Sequence, residues 1–523
     1  MTTKRGVGFA AILAALSGAC SDDGVEPTGA GGAGGAPTGS GGGQTSSGTG
    51  GAPNCLGTET DDPQLAAALE VLREEMVAAG VPGGAIAIVK DGQVLGLGVS
   101  GSKSAVGCDP ITTDTLFGAA FLTELVTTVA VLDAVEEGKL ALEAPITNFI
   151  PEPGIWVQPG RGDVDQITLH HLLTNTSGYR SASSANPLQS TCTSLADAFE
   201  NAVDPVIQAA PGTMNDTNDW NNFEIAGLAL QNVDGVDFGD AVAARVLGPL
   251  GMGGTFDHEV LATSDHSKSY VGSLEVPLES HCPNHAPALG YHGSIDDLAT
   301  LVADVTGGVS AVLGPAMQTE LFVEQGVNFW SYWYTPYGIS QAFPAPSIQP
   351  PDEVFWTDGL AQGFTSHFVF LKQRGLAVVT LMNGEGWEEA LEVTERVLEM
   401  YDPSVTLDLW PSDPNAVFEP LDPTLLASLV GSYHDEFGFD GVSPRTLDVT
   451  LDPNDATKLV ATLTSVDGFA VPVSLAPHFC NHNYVATVGS QEVPVRFWRD
   501  ETTGEPSAVQ LFADAGPPLF RVP

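Results

Sequence analysis

The chain has 523 residues, which exceeds one ordinary domain and predicts two or more units that each bury a core. Its 18 Lys and Arg residues face 65 Asp and Glu residues, so the formal charge is −47. This charge excludes nucleic-acid binding and electrostatic docking on anionic lipid, because both of those surfaces are negative. With 43% apolar and only 16% charged residues, the chain is also not of the acidic disordered class.

The N-terminus has the pattern of an export signal. Lys4 and Arg5 precede an apolar run at 7–16, which is too short to span a bilayer. Residues 16–20 resemble the lipobox of bacterial lipoproteins, although the usual leucine lies one position closer to the cysteine. The resemblance implies that Cys20 is lipidated and anchors the protein in the bacterial cell envelope, in the periplasm or at the outer membrane. Ordinary cleavage with an unmodified Cys20 is the alternative.

The segment after the signal predicts a flexible tether. Twelve of the 25 residues from 28 to 52 are glycine, and most of the others are Ala, Ser and Thr. Such a composition cannot bury enough surface to order itself, and residues 21–54 would span roughly 30 Å as a Gly-rich coil. We therefore expect an anchor and a stalk that hold a folded body away from a membrane.

Apolar periodicity predicts an α/β, or α+β, domain after the tether. Strands at both ends of a mainly helical middle indicate one sheet built from the two ends of the domain, with helices packed on it. The predicted elements are helices at 63–80, 119–137 and 386–401, a hairpin at 85–90 and 93–99, paired strands at 366–371 and 375–382, and short helices near 168–174, 194–202, 222–231, 238–248 and 295–305.

The character of the chain changes near residue 403, where the steps Asp402-Pro403, Trp410-Pro411, Asp413-Pro414 and Asp422-Pro423 predict a linker. Short alternating strands follow and predict a small antiparallel β barrel or sandwich. The predicted organisation is a signal at 1–20, the tether at 21–54, the mixed domain at 55–402 and the β-domain at 403–523.

The six cysteines agree with export, and none is part of a CxxC pair. If Cys20 is lipidated, five remain, so at most two disulfides can form. One of the pairings that the sequence leaves open joins Cys55 to Cys108 and Cys192 to Cys282, with Cys480 unpaired.

Several stretches in the mixed domain resemble the serine β-lactamase-related hydrolases, a family that includes class C β-lactamases, D-Ala-D-Ala peptidases and related esterases. The resemblance implies the β-lactamase and transpeptidase type of fold, and the C-terminal unit resembles the β-domain often appended to such hydrolases. The matching stretches, in family order, are TLF at 115–117, AVLDAVEEGKLALEAPITNFIPE at 130–152, ITLHHLLTNTSGY at 167–179, PGT at 211–213, GYHGSIDDLA at 290–299 and GLAQGFTSHFVFLKQRGLAVVTLMNGEG at 359–386.

The family's nucleophile motif, SxxK, is absent at its place in this chain. Counted from TLF, the serine position is Phe121 and the lysine position is Glu124. A Phe cannot attack a carbonyl, and the negative charge of a Glu would raise the pKa of a neighbouring hydroxyl where an ammonium lowers it. No Lys or Arg lies between Lys103 and Lys139, so a shift in alignment does not restore the motif.

The other two family motifs are altered as well. The Tyr-x-Asn motif falls on Thr217-Asn218-Asp219 or on Asn218-Asp219-Trp220, and neither alignment contains the tyrosine. The Lys-Thr-Gly or His-Thr-Gly motif falls on Thr357, Asp358 and Gly359, which keeps the glycine and loses the cation. Three motifs degraded together predict a scaffold without acyl-serine chemistry.

Rival sites have weaker support. Ser100 and Lys103 have SxxK spacing but follow a hairpin, outside any predicted helix. Ser184 and Asn186 match SxN ahead of its expected place, and Thr123 is a hydroxyl near the nucleophile position without a nearby base.

Two further groups carry ligand-type side chains. Residues 281–285 read HCPNH, which we interpret as a loop and not as a metal site. Glu124, Asp219 and Asp358 could converge in the pocket as an acid and base pair or a cation site. His170 and His171 are predicted to pack or to cap a helix. We expect no metal and no cofactor.

The leading functional hypothesis is a cell-envelope lipoprotein that is catalytically inactive as a serine hydrolase and binds a small molecule, a peptidoglycan-like ligand or a protein. The alternative is an active hydrolase of the β-lactamase, peptidase or esterase class with a non-standard site. A third hypothesis assigns ligand binding to the C-terminal β-domain.

Overall fold

The computed structural model describes residues 60–521 except for short internal stretches. The residues outside the description within that range are 152–155, 158–161, 182–194, 196–204, 208, 214–220, 279–285, 324, 328–333, 346–347, 349, 408–422, 436–444, 466–469, 478–483, 489–490, 501–502, 504 and 512–517.

Helices and strands alternate through the domain and give way to strands alone near the C-terminus. The helices are α1 (Pro63–Ala79), α2 (Leu122–Glu136), α3 (Leu169–Leu173), α4 (Asn221–Asp234), α5 (Phe238–Val242), α6 (Gly248–Leu250), α7 (His258–Thr263), α8 (Ala286–Leu289), α9 (Ile295–Thr306), α10 (Pro315–Glu320), α11 (Trp387–Tyr401) and α12 (Pro423–Ser428). A π-helical segment, Ala243–Leu247, joins α5 to α6.

The strands are β1 (Gly83–Lys90), β2 (Gln93–Gly101), β3 (Phe117–Gly118), β4 (Trp156–Val157), β5 (Tyr179–Ser181), β6 (Pro205–Ile207), β7 (Ser269–Val271), β8 (Leu274–Val276), β9 (His292–Gly293), β10 (Gly326–Val327), β11 (Tyr334–Thr335), β12 (Gln341–Ala345), β13 (Asp352–Ala361), β14 (Phe364–Leu371), β15 (Leu376–Met382), β16 (Gly431–Asp435), β17 (Arg445–Asp452), β18 (Asp455–Ser465), β19 (Ala470–Pro477), β20 (Tyr484–Val488), β21 (Gln491–Arg499), β22 (Pro506–Leu511) and β23 (Pro518–Arg521).

One antiparallel sheet forms the centre of the domain, in the order β10-β11-β12-β13-β14-β15-β1-β2. Strand β1 pairs with β15 from the far end of the domain, with Ala87 opposite Val379, and β2 pairs with β1 at the edge of the sheet. The prediction of one sheet built from both ends of the domain is therefore confirmed. Every residue of β14 and β15 is buried, as expected for strands covered on both faces.

Each face of the sheet carries its own apolar core, because side chains alternate along a strand. On one face lies the first core, in which Ala87 and Phe355 meet residues of α2, α4 and α9. On the other lies the second core, in which Ile88 and Trp356 meet residues of α1 and α11. The domain is thus a sheet between two helical layers, as in α/β proteins.

Helix α1 forms where its sequence predicts. Asp62 caps the first turn by accepting hydrogen bonds from the N–H groups of Gln64 and Leu65, and Pro63 occupies the first position. Gly80 ends the helix with φ = +70°.

Helix α2 begins at Leu122, three residues later than predicted. The backbone N–H of Ala119 is bonded to the carbonyl of Tyr291 at 2.9 Å, and Ala120 has φ = +46°. These two residues cannot be helical, so the helix starts after a left-handed turn that the sequence alone did not reveal.

The C-terminal strands β16 to β23 close into an antiparallel barrel, since β16 pairs with β23. The prediction of a small antiparallel β-domain is confirmed. Its interior is filled by side chains such as Leu447, Phe497 and the fully buried Tyr433. Leu426 and Leu429, on and just after α12, belong to this barrel core.

No helix in the described part of the chain is long and apolar enough to cross a bilayer. The predicted signal, lipid anchor and tether lie outside the described residues.

Candidate functional site

The nucleophile position of the family resemblance lies at the start of helix α2. Phe121 directly precedes the first residue of the helix, and its side chain is half-buried against the first core. Ala120 before it adopts φ = +46°, a conformation that costs an alanine about 1–2 kcal/mol. The sharp turn that would present a nucleophile is therefore present, although the side chain it presents has no nucleophilic atom.

Strand β13 passes very close to this turn at Gly359. A Cβ at Gly359 would lie 2.6 Å from the backbone N of Phe121 and 2.9 Å from the Cβ of Ala120. No side chain fits in that space, which explains why position 359 is a glycine. The first and third family motifs thus meet as the resemblance implies.

Glu124 occupies the lysine position, one turn into α2, and is 2% exposed. The adjacent hydroxyl of Thr123 accepts a hydrogen bond from the backbone N–H of Tyr291 at 3.3 Å and is fully buried. Thr123 therefore faces the interior and does not replace the missing nucleophile. A carboxyl group at position 124 cannot supply the positive charge of the family's lysine ammonium.

Thr357, at the first position of the third motif, serves the fold. Its Oγ1 accepts a hydrogen bond from the N–H of Ser340 at 3.1 Å, and the side chain is 1% exposed. Gly338, two residues before Ser340, leaves room for Thr128 of α2. A Cβ at position 338 would lie 2.1 Å from the Oγ1 of Thr128. The loop that includes Gly338 and Ser340 therefore lies directly on α2 and β13.

Asp358 points to the opposite face of the sheet. Phe355 belongs to the first core and Trp356 to the second, so alternation places Asp358 on the α11 side. Its carboxylate accepts a hydrogen bond from the indole N–H of Trp387, at the start of α11. Burial raises the pKa of this carboxyl above its ordinary value, although the Trp387 hydrogen bond opposes the rise.

The hypothesis that Asp358 converges with Glu124 is therefore wrong. The two residues lie on opposite faces of the sheet, because α2 packs against the first core and α11 against the second. Asp219, the third member of that hypothesis, lies outside the described residues, as do Asn218 and Trp220.

A buried polar cluster beside the site was not predicted. Ser177 donates a hydrogen bond to Oδ1 of Asn222 at 2.5 Å, and Asn222 donates to Oδ1 of Asn175 at 3.1 Å. Glu224, 3% exposed, follows in the first turn of α4. The signal for this cluster was the asparagine-rich pair of segments TNTSG and WNNFE, which interrupts otherwise apolar patterns.

The far ends of α2 and α4 are joined by ion pairs. Arg245, whose side chain is 6% exposed, lies 2.6 Å from Asp234 of α4 and also pairs with Asp133 of α2. Glu124 and Glu224 lie in the first turns of the same two helices, about 14 Å of helical rise from this cluster. The first turns of α2 and α4 thus carry two buried glutamates and the buried amide of Asn222.

The rival SxxK pair does not form a catalytic arrangement. Lys103 Nζ lies 3.0 Å from Asp109 and 2.6 Å from Asp265, so its ammonium is held by two carboxylates. Ser100 is buried at the end of β2.

The two histidines pack and cap as predicted. His171 completes a capping box with Thr168 at the start of α3. The Nδ1 of His170 lies 2.8 Å from the hydroxyl of the buried Tyr337.

Other predictions fall outside the described residues. These are Ser184 and Asn186, the 281–285 stretch, and every cysteine except Cys108. The disulfide pairings Cys55–Cys108 and Cys192–Cys282 stay predictions. Within the described ranges, no group of three His, Cys, Asp or Glu residues is arranged to hold a metal ion.

The fold and the meeting of the first and third motif positions define a β-lactamase-type domain. The profile of the Beta-lactamase family matches residues 69–401. The chain therefore belongs to the beta-lactamase family, and the C-terminal barrel lies beyond the matched residues.

Three curated proteins resemble parts of the chain. Esterase EstB of Burkholderia gladioli is 36% identical over 121 residues, which are 23% of this chain and 30% of the esterase. Protein flp of Staphylococcus aureus is 26% identical over 186 residues, 35% of this chain and 36% of that protein. Protein Rv1367c of Mycobacterium tuberculosis is 29% identical over 196 residues, 34% of this chain and 48% of that protein. The chain thus spans less than half the length of each relative.

Solved structures share the fold over most of the chain. An octameric penicillin-binding protein homologue from Pyrococcus abyssi matches with a TM-score of 0.56 and 19% identity, over 87% of this chain and 99% of that one. SurE with D-Leu matches with a TM-score of 0.58 and 18% identity, over 88% of this chain and 99% of that one. At these identities the similarity concerns the fold alone.

Proposed function

We propose that this protein is a lipid-anchored cell-envelope protein whose β-lactamase-family domain binds a ligand without acyl-serine hydrolysis. The observation that carries the proposal is the pair Phe121 and Glu124, in place of serine and lysine, on a backbone that keeps the site's turn and its retained Gly359. The positive φ of Ala120 beside Phe121 is also the kind of strained backbone that is found most often at functional sites.

The chemistry of the replaced side chains supports the absence of acyl transfer. Acyl-serine catalysis needs a hydroxyl that can be deprotonated and a base to take its proton. Phe121 supplies no such atom, Thr123 is buried and bonded to Tyr291, and Lys103 is held by Asp109 and Asp265.

The same residues suggest what the site binds. Thr357 replaces the cationic first residue of the third motif, and Glu124 replaces the lysine, so no ammonium at these positions attracts a ligand carboxylate. The loss of these two cations favours neutral polar or cationic groups, such as the amide and amino groups of a peptide or peptidoglycan-like ligand.

Localisation rests on the N-terminal sequence. A basic pair, a ten-residue apolar run and Cys20 form a lipoprotein-type signal, and a Gly-rich stretch follows it. The proposed anchor is the lipid on Cys20, with the folded body held off the membrane by the tether. Detergent extraction of wild-type and Cys20→Ala proteins tests this: loss of membrane association in the variant is expected, and equal association would contradict the anchor.

A covalent probe tests the catalytic part of the proposal. The full-length protein is incubated with a fluorescent penicillin and with a fluorophosphonate, and labelled protein is measured after denaturing electrophoresis. We expect no covalent label, because both probes need an activated nucleophile. Stoichiometric labelling that survives denaturation would overturn the proposal. The doubly substituted Phe121→Ser, Glu124→Lys protein is the matched variant that restores the family's side chains on the same turn.

An active hydrolase is the second candidate, favoured by the match to an esterase and by the buried Glu124. It predicts turnover of p-nitrophenyl esters or D-amino-acid amides that Glu124→Ala abolishes. Absence of turnover across such a panel, with a folded protein, would reject it.

A further inference from the structure

The C-terminal barrel is joined to the β-lactamase-type domain through strand β22. The hydroxyl of Ser507 donates a hydrogen bond to the backbone carbonyl of Thr213. The next residue, Ala508, is fully buried and belongs to the second core of the domain, with residues of α1 and α11, and not to the barrel core. A strand of the barrel thus completes the apolar core of the neighbouring domain.

Thr213 ends a segment, 209–213, that is fastened to the loop at 176–178. The N–H of Gly212 donates a hydrogen bond to the carbonyl of Thr176 at 2.8 Å. The N–H of Ala209 donates one to the carbonyl of Gly178 at 3.4 Å. Gly178 has φ = +73°, and a Cβ there would lie 2.1 Å from the carbonyl oxygen of Ala209. The two segments therefore lie backbone against backbone.

The loop at 176–178 leads in turn to the first turn of α4. Ser177, fully buried, donates to Asn222, and Asn222 donates to Asn175. Asn222 precedes the buried Glu224 by two residues. A continuous chain of contacts therefore runs from the barrel to the polar wall of the site.

We propose that docking of the C-terminal barrel positions this wall, namely the segment 209–213, the loop at 176–178 and the first turn of α4. Ser507 and Ala508 act as positioning residues from outside the domain that carries the site. The segment 209–213 has the loop on one side and the barrel on the other, so its placement depends on both. The packed barrel interior agrees with a supporting role, because an eight-stranded barrel filled with side chains leaves little room for a ligand inside it.

This inference stands whether the site binds a ligand or performs chemistry, because it concerns the placement of the wall. Amide hydrogen exchange of the full-length protein tests it, since exchange reports local opening. In the variant Ala508→Glu, a charge enters the buried contact. The amides of Ala209 and Gly212 should exchange at least about tenfold faster, while those of β14 keep their rates. The milder Ser507→Ala removes one hydrogen bond and should speed the same amides by about two- to tenfold.

The matched control is Thr462→Glu, which places the same charge at an exposed position on the barrel strand β18. It should leave the amides of Ala209 and Gly212 unchanged. Unchanged exchange at these amides in both Ala508→Glu and Ser507→Ala would overturn the proposal. So would a rise in Ala508→Glu that is equally large in β14, because Ala508 would then support the fold as a whole and not this wall.

Discussion

Replacement of His367 by Gln should remove much of the protein's sensitivity to mild acid. His367 lies in β14 on the α11 face of the sheet and is fully buried. Its Nδ1 is 3.1 Å from the hydroxyl of Thr394, and its ring centroid is 5.8 Å from that of Trp356. Its Nε2 is buried and has no hydrogen-bond partner in the described part of the chain, so an imidazolium would leave that N–H unsatisfied.

The size of the effect follows from the pKa. Burial lowers the pKa of His367 to about 3 from its ordinary value of 6.5. Between these two values the unfolded chain binds a proton that the folded chain does not, so stability falls as pH falls from 6.5 toward 3. At about 1.4 kcal/mol per pH unit, the loss attributable to this group between pH 7 and pH 5 is about 2 kcal/mol.

Urea denaturation at pH 7 and pH 5 measures the effect. The wild-type protein should lose about 2 kcal/mol more than His367→Gln on acidification. Thr394→Val is the matched control, because it changes the partner of His367 and keeps the titrating group, so it should retain the wild-type pH dependence. Asp358 lies opposite His367 in the sheet, and its raised pKa makes the folded protein more stable as the pH falls. This contribution is present in the wild type and in both variants, so it does not enter the difference between them. Equal losses in wild type and His367→Gln would refute the reasoning.

Two further experiments test the packing of α2. Arg245→Met leaves Asp133 without its cation and leaves Asp234 only its ion pair with Lys139. It should destabilise the protein by about 3 kcal/mol in urea at pH 7, whereas a loss below about 1 kcal/mol would mean that the pairs are screened. Ala120→Gly and Ala119→Gly each remove a buried methyl and add chain entropy, but only the former relieves a positive φ. Ala120→Gly should therefore be about 1–2 kcal/mol more stable than Ala119→Gly by thermal denaturation, and equal stabilities would show that the turn is unstrained.

Most of the long elements could be predicted from local pattern. The predicted helix at 386–401 is observed as α11, and the strands at 366–371 and 375–382 as β14 and β15. These segments have strong apolar periodicity and well-placed turn residues, which act over a few residues and need no tertiary information. The start of α2 was missed because Ala120 is an ordinary helix former, and its left-handed conformation is imposed by Tyr291 and β13.

Part of the site could likewise be predicted from the sequence, and part could not. Counting from TLF located Phe121 and Glu124, and the structure places both at the start of α2. The sequence did not reveal that Asp358 faces α11, because the strand β13 was not predicted and its alternation was therefore unknown. Nor did it reveal Glu224, since one carboxylate in an apolar pattern does not disclose which helix face is buried.

By itself, then, the sequence determined the family, the sheet built from two ends of the domain, the C-terminal β-domain and the loss of the nucleophile and its lysine. These depend on residue identity and spacing along the chain. The tertiary structure decided which altered residues share a face, which hydroxyls and cations are already bonded, and that a barrel strand completes the second core of the domain. Those facts depend on contacts between residues such as Thr213 and Ser507, which are far apart in the chain and meet only when it is folded.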